Sequence, residues 1–379
     1  MIRKNVVRLL ESAGFFETTG AYVLVDGQYG STGKGLAADL LEQYDDVAGY
    51  PVEVVTTNAG PNSGHTAVLE DGTKIFTQQL PVFSACRGVR RMNVATADGD
   101  LAVNQPMTYL NGGAVLDMSY VEKEAEEYAV YPYIHAAAAV INQSTQDAFH
   151  EGWLDKIAST GKGVGQAMAA KVLRMPYTYA GYSRKYRHIV ARNVQDLRNK
   201  VTFVETAQGF SLGINSGFYP YTTSRECSVP QALADAGISP YDLQGVFMTI
   251  RAHPIRVGNT EKGESGPCYP DQKEISWEEL GVEAELTSVT KRVRRVFTFS
   301  EMQLEQACLV NRPNVILLNF CNYLTVNDAK ELAHKVFGIA SHYNGNLRIL
   351  IGMGPKASDV YTIQDLMMNH IDEDLFKKD

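Results

Sequence analysis

The stretch VDGQYGSTGKGLAADLL, residues 25–41, decides the fold. A short β-branched run ends in a loop that holds four glycines and Lys34, and a helix-like segment follows that loop. Glycine lets backbone amides approach an anion closely, and the amino end of the following helix attracts negative charge. Lys34 adds a point charge suited to a β- or γ-phosphate. The stretch therefore predicts a phosphate-binding loop between a buried strand and a helix.

The spacing of this loop departs from the Walker pattern. That pattern has four residues between its first glycine and the Gly-Lys pair, and a serine or threonine after the lysine. Here five residues separate Gly27 from Gly33, and Gly35 follows Lys34. The hydroxyl that holds magnesium in the Walker pattern is missing, which argues against an ordinary P-loop NTPase. The alternative is a glycine-rich turn with a solvated lysine, and the number of glycines after a buried strand argues against it.

Short apolar, β-branched runs recur along the chain and alternate with helix-like segments. The runs cover residues 21–26, 52–57, 201–205, 246–251, 315–320 and 347–352. The helix-like segments include GLAADLLEQY, SEMQLEQACLV and NDAKELAHKVFG, and residues 3–13 predict a short amphipathic helix. Near-continuous apolar strands that alternate with helices are typical of a parallel sheet with both faces covered. We expect an α/β fold with a mostly parallel central sheet and helices on both faces.

Composition and charge narrow the class of protein. No repeat or linker divides the sequence, so we expect one domain over residues 1–379, with an N-terminal extension at 1–20 and a polar surface excursion at 258–285. The net charge of -8 argues against nonspecific nucleic-acid binding. The five cysteines form no C-x-x-C pair, which favours a reducing compartment. Without a signal-peptide pattern or a long apolar stretch, we expect a cytoplasmic protein with no membrane partner.

A second polar loop, NAGPNSGHT at residues 58–66, follows the second apolar run. Ligands of open parallel sheets bind at the carboxyl ends of the strands, so both loops are expected at one site. Histidine exchanges protons near neutral pH, and His65 is a candidate general acid toward a phosphate or an enol oxygen. A lone histidine is more often structural. Its neighbours Asn62, Gly64 and Thr66, and its place after a strand, favour the functional interpretation.

Together the two loops resemble those of the adenylosuccinate synthetase family, which carries G-x-Q-W-G-D-E-G-K-G-K followed by N-A-G-H-T. Further matches follow in the same order. STGKGVG (159–165), ETAQG (205–209) and GFYPYTTS (217–224) are similar to T-T-G-R-G-I-G, E-G-A-Q-G and G-T-Y-P-Y-V-T-S. RVG (256–258), TKRVRR (290–295) and GMGP (352–355) are similar to R-V-G, T-G-R-x-R-R and S-T-G-P. The ordered set covers about residues 21–356 and implies the P-loop-NTPase-like fold of that family.

The resemblance implies a reaction and a role for each matching residue. In the family, a nucleoside triphosphate phosphorylates the 6-oxygen of a purine monophosphate, and the amine of aspartate then displaces that phosphate. The implied catalytic residues are Ser31, Lys34, His65 and Gln208. The residues implied to bind the purine monophosphate are Ser31, Asn62, Thr160, Arg174, Gln208 and Thr223. Those implied to bind aspartate are Thr287, Arg292 and Arg294, since a guanidinium fork suits a carboxylate.

The resemblance also implies how the donor nucleotide and the metal are held. The implied ATP-binding residues are Gly30, Gly33, Lys34, Gly35, Thr66, Asn319, Asn322, Gly354 and Pro355. Mg2+ is the implied cofactor, with Ser31 and Gly64 as its protein ligands. A homodimer is implied because the family offers the arginine that matches Arg174 to the neighbouring subunit's site. Without the other motifs, TKRVRR would indicate only a solvated basic strand.

Ser31 is the first departure from the family pattern. The family has Asp there, which acts as a base on purine N1 and as a magnesium ligand, and serine does not do the first job unaided. A dead enzyme is one explanation, but Lys34, His65, Gln208 and the arginines are all present. The other explanation is a purine with a 2-amino group beside N1, for which a smaller neutral side chain makes room. Ser31 therefore favours GMP or dGMP over IMP, as in the phage-type branch that the chain resembles, the 2-aminoadenylosuccinate synthetases.

Asn322 is the second departure. The stretch LNFCNYL (318–324) lies where the family has T-K-L-D, whose Asp accepts hydrogen bonds from the guanine of GTP. Asn322 takes the place of that Asp, and Phe320 takes the place of the Lys. An amide both donates and accepts, so it can pair with the edge of adenine, and we expect ATP or dATP as the donor. The alternative is that Asn322 is an ordinary loop residue and another contact selects the base.

These observations favour a carbon–nitrogen ligase, encoded by a phage and working in the host cytoplasm. We expect it to join L-aspartate to C6 of GMP or dGMP with ATP or dATP and Mg2+. The product, N6-succino-2-amino-(d)AMP, would serve 2-aminoadenine nucleotide synthesis. Two alternatives stay open: an ordinary adenylosuccinate synthetase that uses IMP and GTP, and a non-catalytic nucleotide-binding regulator. The charge and the loop spacing disfavour a nucleic-acid-acting NTPase.

Overall fold

A ten-stranded sheet is the centre of the protein in the computed structural model, which describes residues 1–98, 105–142, 153–183, 190–191, 199–287 and 291–378. In these residues the strands are β1 (Gly20–Asp26), β2 (Val54–Thr57), β3 (His65–Val68), β4 (Lys74–Thr77), β5 (Met107–Leu110), β6 (Val115–Leu116), β7 (Tyr133–His135), β8 (Ala139–Val140), β9 (Val190–Ala191), β10 (Val201–Glu205), β11 (Leu243–Arg251), β12 (Ile255–Arg256), β13 (Glu274–Ile275), β14 (Arg295–Phe297), β15 (Val315–Asn319), β16 (Arg348–Gly352) and β17 (Val360–Thr362). The helices are α1 (Lys4–Ser12), α2 (Lys34–Asp45), α3 (Val82–Asp98), α4 (Met118–Glu127), α5 (Val164–Val172), α6 (Val229–Ala236), α7 (Trp277–Leu280), α8 (Glu301–Asn311), α9 (Val326–Ser341) and α10 (Ile363–Met367).

The central sheet is mostly parallel. Its strands lie in the order β17-β16-β15-β11-β1-β10-β2-β5-β7-β9. Every neighbouring pair is parallel except β16 and β17, which pair antiparallel. Smaller sheets pair β12 with β14 and β14 with β13, β3 with β4, and β6 with β8. The mostly parallel central sheet predicted from the sequence is confirmed.

Apolar side chains cover both faces of this sheet, because successive residues of a strand point to opposite sides. Along β1, Tyr22 and Leu24 pack with residues of α1, α2 and α3 on one face. Val23 and Val25 pack with residues of α6, α8 and α9 on the other face. Full burial of such a side chain contributes about 1.5–3 kcal/mol. Helices therefore cover both faces, as the continuous apolar runs predicted.

The predicted strands are all present, with small shifts at their ends. β10 spans the predicted residues 201–205, whereas β11 begins at Leu243, earlier than predicted. The strands β5, β7, β9 and β17 extend the sheet but were not predicted from the sequence, because each is only two to four residues long. The segment 258–285 contains β13 and α7, and its assignment as a surface excursion of a single domain stays a prediction.

The N-terminal segment packs against the body of the protein. The amphipathic helix predicted at residues 3–13 is α1, and its residues Val6 and Leu10 are fully buried in the core. None of the helices in the described part of the chain is both long and apolar enough to cross a membrane.

The carboxyl ends of neighbouring strands bring the predicted loops to one edge of the sheet. Glu205, at the end of β10, pairs with Leu24 of β1 and with Thr57 of β2. On the other side of β1, β11 pairs with β15, so that Arg251 lies opposite Asn319. The loops that follow β1, β2, β10, β11 and β15 therefore share this edge.

Candidate active site

An open cleft with a cavity volume of about 310 Å3 lies at this edge. It is lined by most of the site residues predicted from the sequence: Gly30, Ser31, Gly33, Lys34, Gly35, Asn62, Gly64, His65, Thr66, Thr160, Gln208, Thr287 and Arg294. A smaller cavity of about 140 Å3 shares Asn62, Thr160 and Gln208 with the cleft and adds Thr223. The residues predicted for phosphate, purine and aspartate therefore line one connected space.

Two glycines of the phosphate loop allow contacts that a side chain would block. Gly33 precedes α2 with a φ of 92°, and a Cβ there would overlap the side-chain amide of Asn319. A Cβ on Gly35 would overlap the carbonyl oxygen of Thr66. Asn319 also donates a 3.0 Å hydrogen bond from Nδ2 to the carbonyl oxygen of Thr32. The loop is therefore fixed against β15 and against the strand that begins with His65.

Asp26 holds the phosphate loop from the end of β1, where its side chain is buried. Its Oδ1 accepts hydrogen bonds from the amides of Gln28 at 2.8 Å and of Gly30 at 3.3 Å. Its Oδ2 accepts from Thr32 Oγ1 at 2.6 Å and from Lys34 Nζ at 3.3 Å. Sequence reasoning missed Asp26, although an acid at the end of a buried strand, directly before a glycine loop, was a visible signal.

Strained backbone surrounds the lysine of this loop. Lys34 Nζ donates a second hydrogen bond, of 2.6 Å, to the carbonyl oxygen of Gln208. Gln208, Ser31 and Phe320 have φ values of 66°, 57° and 60°, and all three line the cleft. Left-handed backbone at non-glycine residues costs energy and is concentrated at functional sites. The side chain of Ser31 is exposed, so its hydroxyl is available to a ligand.

Glu205 orients His65. Its Oε1 lies 3.1 Å from Nδ1 of His65, and its two oxygens also accept hydrogen bonds from the amides of Val82 at 3.0 Å and Phe83 at 3.3 Å. These amides begin α3, so the carboxylate also satisfies free donors at a helix start. Because the carboxylate acts as an acceptor, Nδ1 carries the hydrogen and Nε2 is left for a ligand. Glu205 lies within the ETAQG motif, but no role was predicted for it.

Arg251, at the end of β11, joins several walls of the cleft and was also missed. The residue is 0% exposed, and its Nη1 donates to the carbonyl oxygen of Ser31 and to Oε2 of Glu285, both at 3.2 Å. Its guanidinium carbon lies 3.8 Å from the centroid of the Phe320 ring. Burial acts to raise the pKa of Glu285, but the charge and hydrogen bond of Arg251 lower it, and the net pKa is below the ordinary value. Arg251 and Glu285 therefore form a charged pair that neutralises itself.

The predicted aspartate-binding residues are only partly brought together. Thr287 and Arg294 line the cleft, whereas Arg292 does not, although its amide donates a 2.9 Å hydrogen bond to Oγ1 of Thr287. Burial lowers the pKa of Arg294 to about 10, with Glu285 opposing that shift and Arg251 adding to it. Arg294 thus stays a cation at neutral pH. Thr290, which begins the TKRVRR motif, lies outside the described residues.

The residues predicted to bind the donor base lie beside the cleft. Asn322 belongs to a short 3-10 turn, Cys321–Tyr323, directly after Phe320, which does line the cleft. Gly354 and Pro355 follow β16, the neighbour of β15 in the sheet. Neither these two residues nor Asn322 lines the cleft, and contact with adenine stays a prediction.

Arg174 lies away from the cleft, at the exposed end of α5. Its φ is 58°, and its neighbours Val172, Leu173 and Met175 are 72%, 71% and 49% exposed. Among the described residues, its side chain makes no hydrogen bond or ion pair that would hold it in its own subunit. A role in this chain's own cleft is therefore not supported by its position.

The cleft suits a magnesium ion held mainly by phosphate. In the part of the chain that the structure describes, no three His, Cys, Asp or Glu side chains converge on a metal-sized site. The predicted ligands, Ser31 and Gly64, are both exposed in the cleft. Mg2+ keeps several waters and binds substrate phosphates, so one hydroxyl and one carbonyl near Lys34 fit a phosphate-bound ion.

Comparison with known proteins identifies the family. The family model for adenylosuccinate synthetase matches residues 177–335. The N6-succino-2-amino-2'-deoxyadenylate synthase of Vibrio phage phiVC8 is 35% identical over 363 residues, which cover 91% of this chain and 98% of that protein. The chain belongs to the adenylosuccinate synthetase family. The resemblance predicted from the loops, including that to the phage-type branch, is confirmed.

Solved structures of the family share the fold. The succinoaminodeoxyadenylate synthetase of cyanophage S-2L, bound to dGMP and to dATP as energy donor, matches with a TM-score of 0.78 and 32% identity over 94% of this chain and 100% of that one. The fully ligated adenylosuccinate synthetase from Plasmodium falciparum matches with a TM-score of 0.68 and 17% identity over 90% of this chain and 99% of that one. The second match shows the fold alone, and together they confirm the predicted fold of the family.

Proposed function

We propose that this enzyme joins L-aspartate to C6 of dGMP, with dATP or ATP as the phosphoryl donor, and gives N6-succino-2-amino-dAMP. The observation that carries the proposal is Ser31, a small neutral side chain exposed in the cleft where the family motif has an acid. The hydroxyl leaves room for the 2-amino group that guanine carries beside N1. The phage relatives support the substrate, since one is named for this product and another was solved with dGMP and dATP.

The first step of the proposed reaction is phosphoryl transfer to the purine. The 6-oxygen attacks the γ-phosphorus of the donor while N1 of the purine releases its proton to solvent, and the bond to the bridging oxygen breaks with its electrons going to the diphosphate. Lys34 and the loop amides hold the donor phosphates, where they stabilise charge that develops in the transition state. His65, oriented by Glu205, presents Nε2 to the 6-oxygen and the transferred group. Bound Mg2+ supplies neutralisation of the phosphate charge.

The second step is displacement of that phosphate by the amine of aspartate. Arg294 and Thr287 line the part of the cleft next to Glu285, and a guanidinium there can bind a carboxylate with two parallel hydrogen bonds. Arg251 is committed to Glu285 and to the carbonyl oxygen of Ser31, so it does not compete for the substrate. Asn62, Thr160 and Thr223 surround the smaller cavity and would hold the monophosphate.

A homodimer belongs to the same proposal. Arg174 would reach the monophosphate of a second copy of this chain, which agrees with its exposure among apolar neighbours at the end of α5. We expect the enzyme to work in the host cytoplasm, where nucleotides and aspartate are available.

The test is phosphate release with L-aspartate and Mg2+, crossing IMP, GMP and dGMP against ATP, dATP and GTP. We expect turnover with dGMP and an adenine donor, and the GMP and ATP arms measure the selectivity for deoxyribose. Turnover confined to IMP and GTP would replace the proposal with an ordinary adenylosuccinate synthetase. Nucleotide binding without phosphate release in every combination would favour a non-catalytic regulator.

A further inference from the structure

Asp26 contacts the lysine of the phosphate loop as well as the loop backbone. Its carboxylate is the one acid within ion-pair distance of Lys34 among the described residues, with Nζ 3.3 Å from Oδ2. Both side chains are buried, at 0% exposure for Asp26 and 4% for Lys34. A buried ammonium without a counter-charge is costly, so this pair decides where the Lys34 ammonium rests before a nucleotide binds.

Aligned on the family motif, this chain carries an acid at position 26 and none at position 32. When G-x-Q-W-G-D-E-G-K-G-K is aligned on Gln28, Gly30 and Lys34, the motif has glycine at position 26 and glutamate at position 32. This chain has Asp26 and Thr32 instead, and Thr32 Oγ1 lies 2.6 Å from Oδ2 of Asp26. The two positions are thus in direct contact. The motif therefore combines a glycine at position 26 with a glutamate at position 32, whereas this chain combines an aspartate with a threonine that donates to it.

We propose that Asp26 is the positioning residue for Lys34 in phosphoryl transfer, and that this loop has moved the carboxylate beside Lys34 from position 32 to position 26. With the carbonyl oxygen of Gln208, Asp26 fixes the ammonium at the entrance of α2, where the donor phosphates lie in the proposed function on which this inference rests. Asp26 does not itself touch substrate, since both of its oxygens are occupied by donors of the loop. Its effect passes through Lys34.

The first experiment removes the charge and keeps the shape. In Asp26→Asn we expect kcat with dGMP, aspartate and dATP to fall about 100-fold, the effect of a misplaced catalytic group. The KM for dATP stays within about threefold or falls, because a negative charge beside the phosphates has been removed. A loop that is merely loosened would bind dATP more weakly, so a tenfold rise in that KM overturns the inference. A kcat close to that of the wild type overturns it as well.

The second experiment moves the acid back. Asp26→Gly should lower kcat as much as Asp26→Asn does, and the double variant Asp26→Gly/Thr32→Glu should recover at least about tenfold of that loss, because the two positions couple. The double variant has room for the longer acid in the space left by the Asp26 carboxylate. Double and single variants that are equally slow would contradict the relocation of the carboxylate.

The matched control is Asp39→Asn. Asp39 is another fully buried acid, on α2, where it pairs with Arg90 away from the loop. We expect its loss to lower the melting temperature and to leave kcat unchanged, so a kcat loss equal to that of Asp26→Asn would reduce Asp26 to a stability role. Calorimetric titration with ATP separates the two proposals. A wild-type protein that binds ATP but releases no phosphate with any purine removes the proposed function, whereas a tenfold loss of ATP affinity in Asp26→Asn removes only this inference.

Discussion

The two walls of the cleft, one around the phosphate loop and one around Arg294, differ in how far hydrogen bonds within the protein fix their side chains. On the phosphate wall, Asp26, Glu205 and Asn319 are buried, and each has internal hydrogen-bond partners that fix the loop residues beside it. On the aspartate wall, Arg294 is half-buried, and its Nε makes one long hydrogen bond, of 3.4 Å, to the carbonyl oxygen of Leu286. The side chains of the phosphate wall are therefore fixed by the protein itself, whereas the Arg294 guanidinium keeps donors for a ligand.

This difference follows the chemistry that each wall serves. Phosphoryl transfer is accelerated by charges fixed in place before the reaction, because groups that must reorganise lose their effect. In the proposed reaction, aspartate needs only to be bound and oriented, and its carboxylates would pair with the Arg294 guanidinium, which Glu285 stabilises only in part. Changes to the phosphate wall should therefore lower kcat, whereas changes to the aspartate wall should raise the KM for aspartate.

The largest effect is expected for His65→Ala. Loss of an oriented proton-transfer group lowers kcat by about 1,000-fold. The fold should persist, since Glu205 keeps its hydrogen bonds from the amides of Val82 and Phe83. Steady-state phosphate release measures kcat, and a melting curve measures the stability of the fold. His342→Ala, at the end of α9, is the control and should be silent. A His65→Ala enzyme within tenfold of the wild type would remove His65 from the mechanism.

Gly35→Ala tests the rigid contact between the two loops. The added methyl overlaps the carbonyl oxygen of Thr66, so α2 and β3 must separate, and a shift of this size lowers kcat by about 100-fold. Gly338→Ala is a matched control in α9, because its new Cβ meets nothing within 4 Å. That control should gain up to about 1 kcal/mol in the free energy of unfolding, the helix propensity difference between the two residues. Equal kcat values for the two variants would show that the contact is not needed.

Arg294→Lys tests the open wall. A lysine keeps the charge but loses the planar fork, so we expect the KM for aspartate to rise about tenfold with kcat nearly unchanged. Arg295→Lys is the neighbouring control, because that guanidinium already pairs with Glu274 at 2.8 Å and 2.6 Å. A fall in kcat without a change in the KM for aspartate would place Arg294 in the chemistry of the other wall.

The sequence predicted the residues that face the cleft better than the buried residues that hold them in place. Ser31 and His65 lie in polar loops after apolar runs, Arg294 lies in the TKRVRR motif, and the order of the motifs was enough to assign all three to one site. Asp26 and Arg251 were missed because each ends an apolar strand and was counted with it. Glu205 was quoted within a motif, but its role depends on the start of α3, which no local pattern places beside it. The roles of these three residues depend on contacts with residues distant in sequence, and hydrophobic periodicity does not predict such contacts.

Arg174 is held even less firmly than Arg294. Its side chain is exposed, and none of the described residues of its own subunit holds it. Arg174→Ala should raise the KM for dGMP about fivefold, the effect of one exposed charge contact, and should leave kcat near that of the wild type. The subunit from which the arginine acts can be read from mixed dimers. When Arg174→Ala and His65→Ala subunits are combined, a site with its own His65 and the partner's arginine regains the wild-type KM for dGMP. If Arg174 acts in its own subunit, every active site in the mixture lacks it, and the KM for dGMP stays raised.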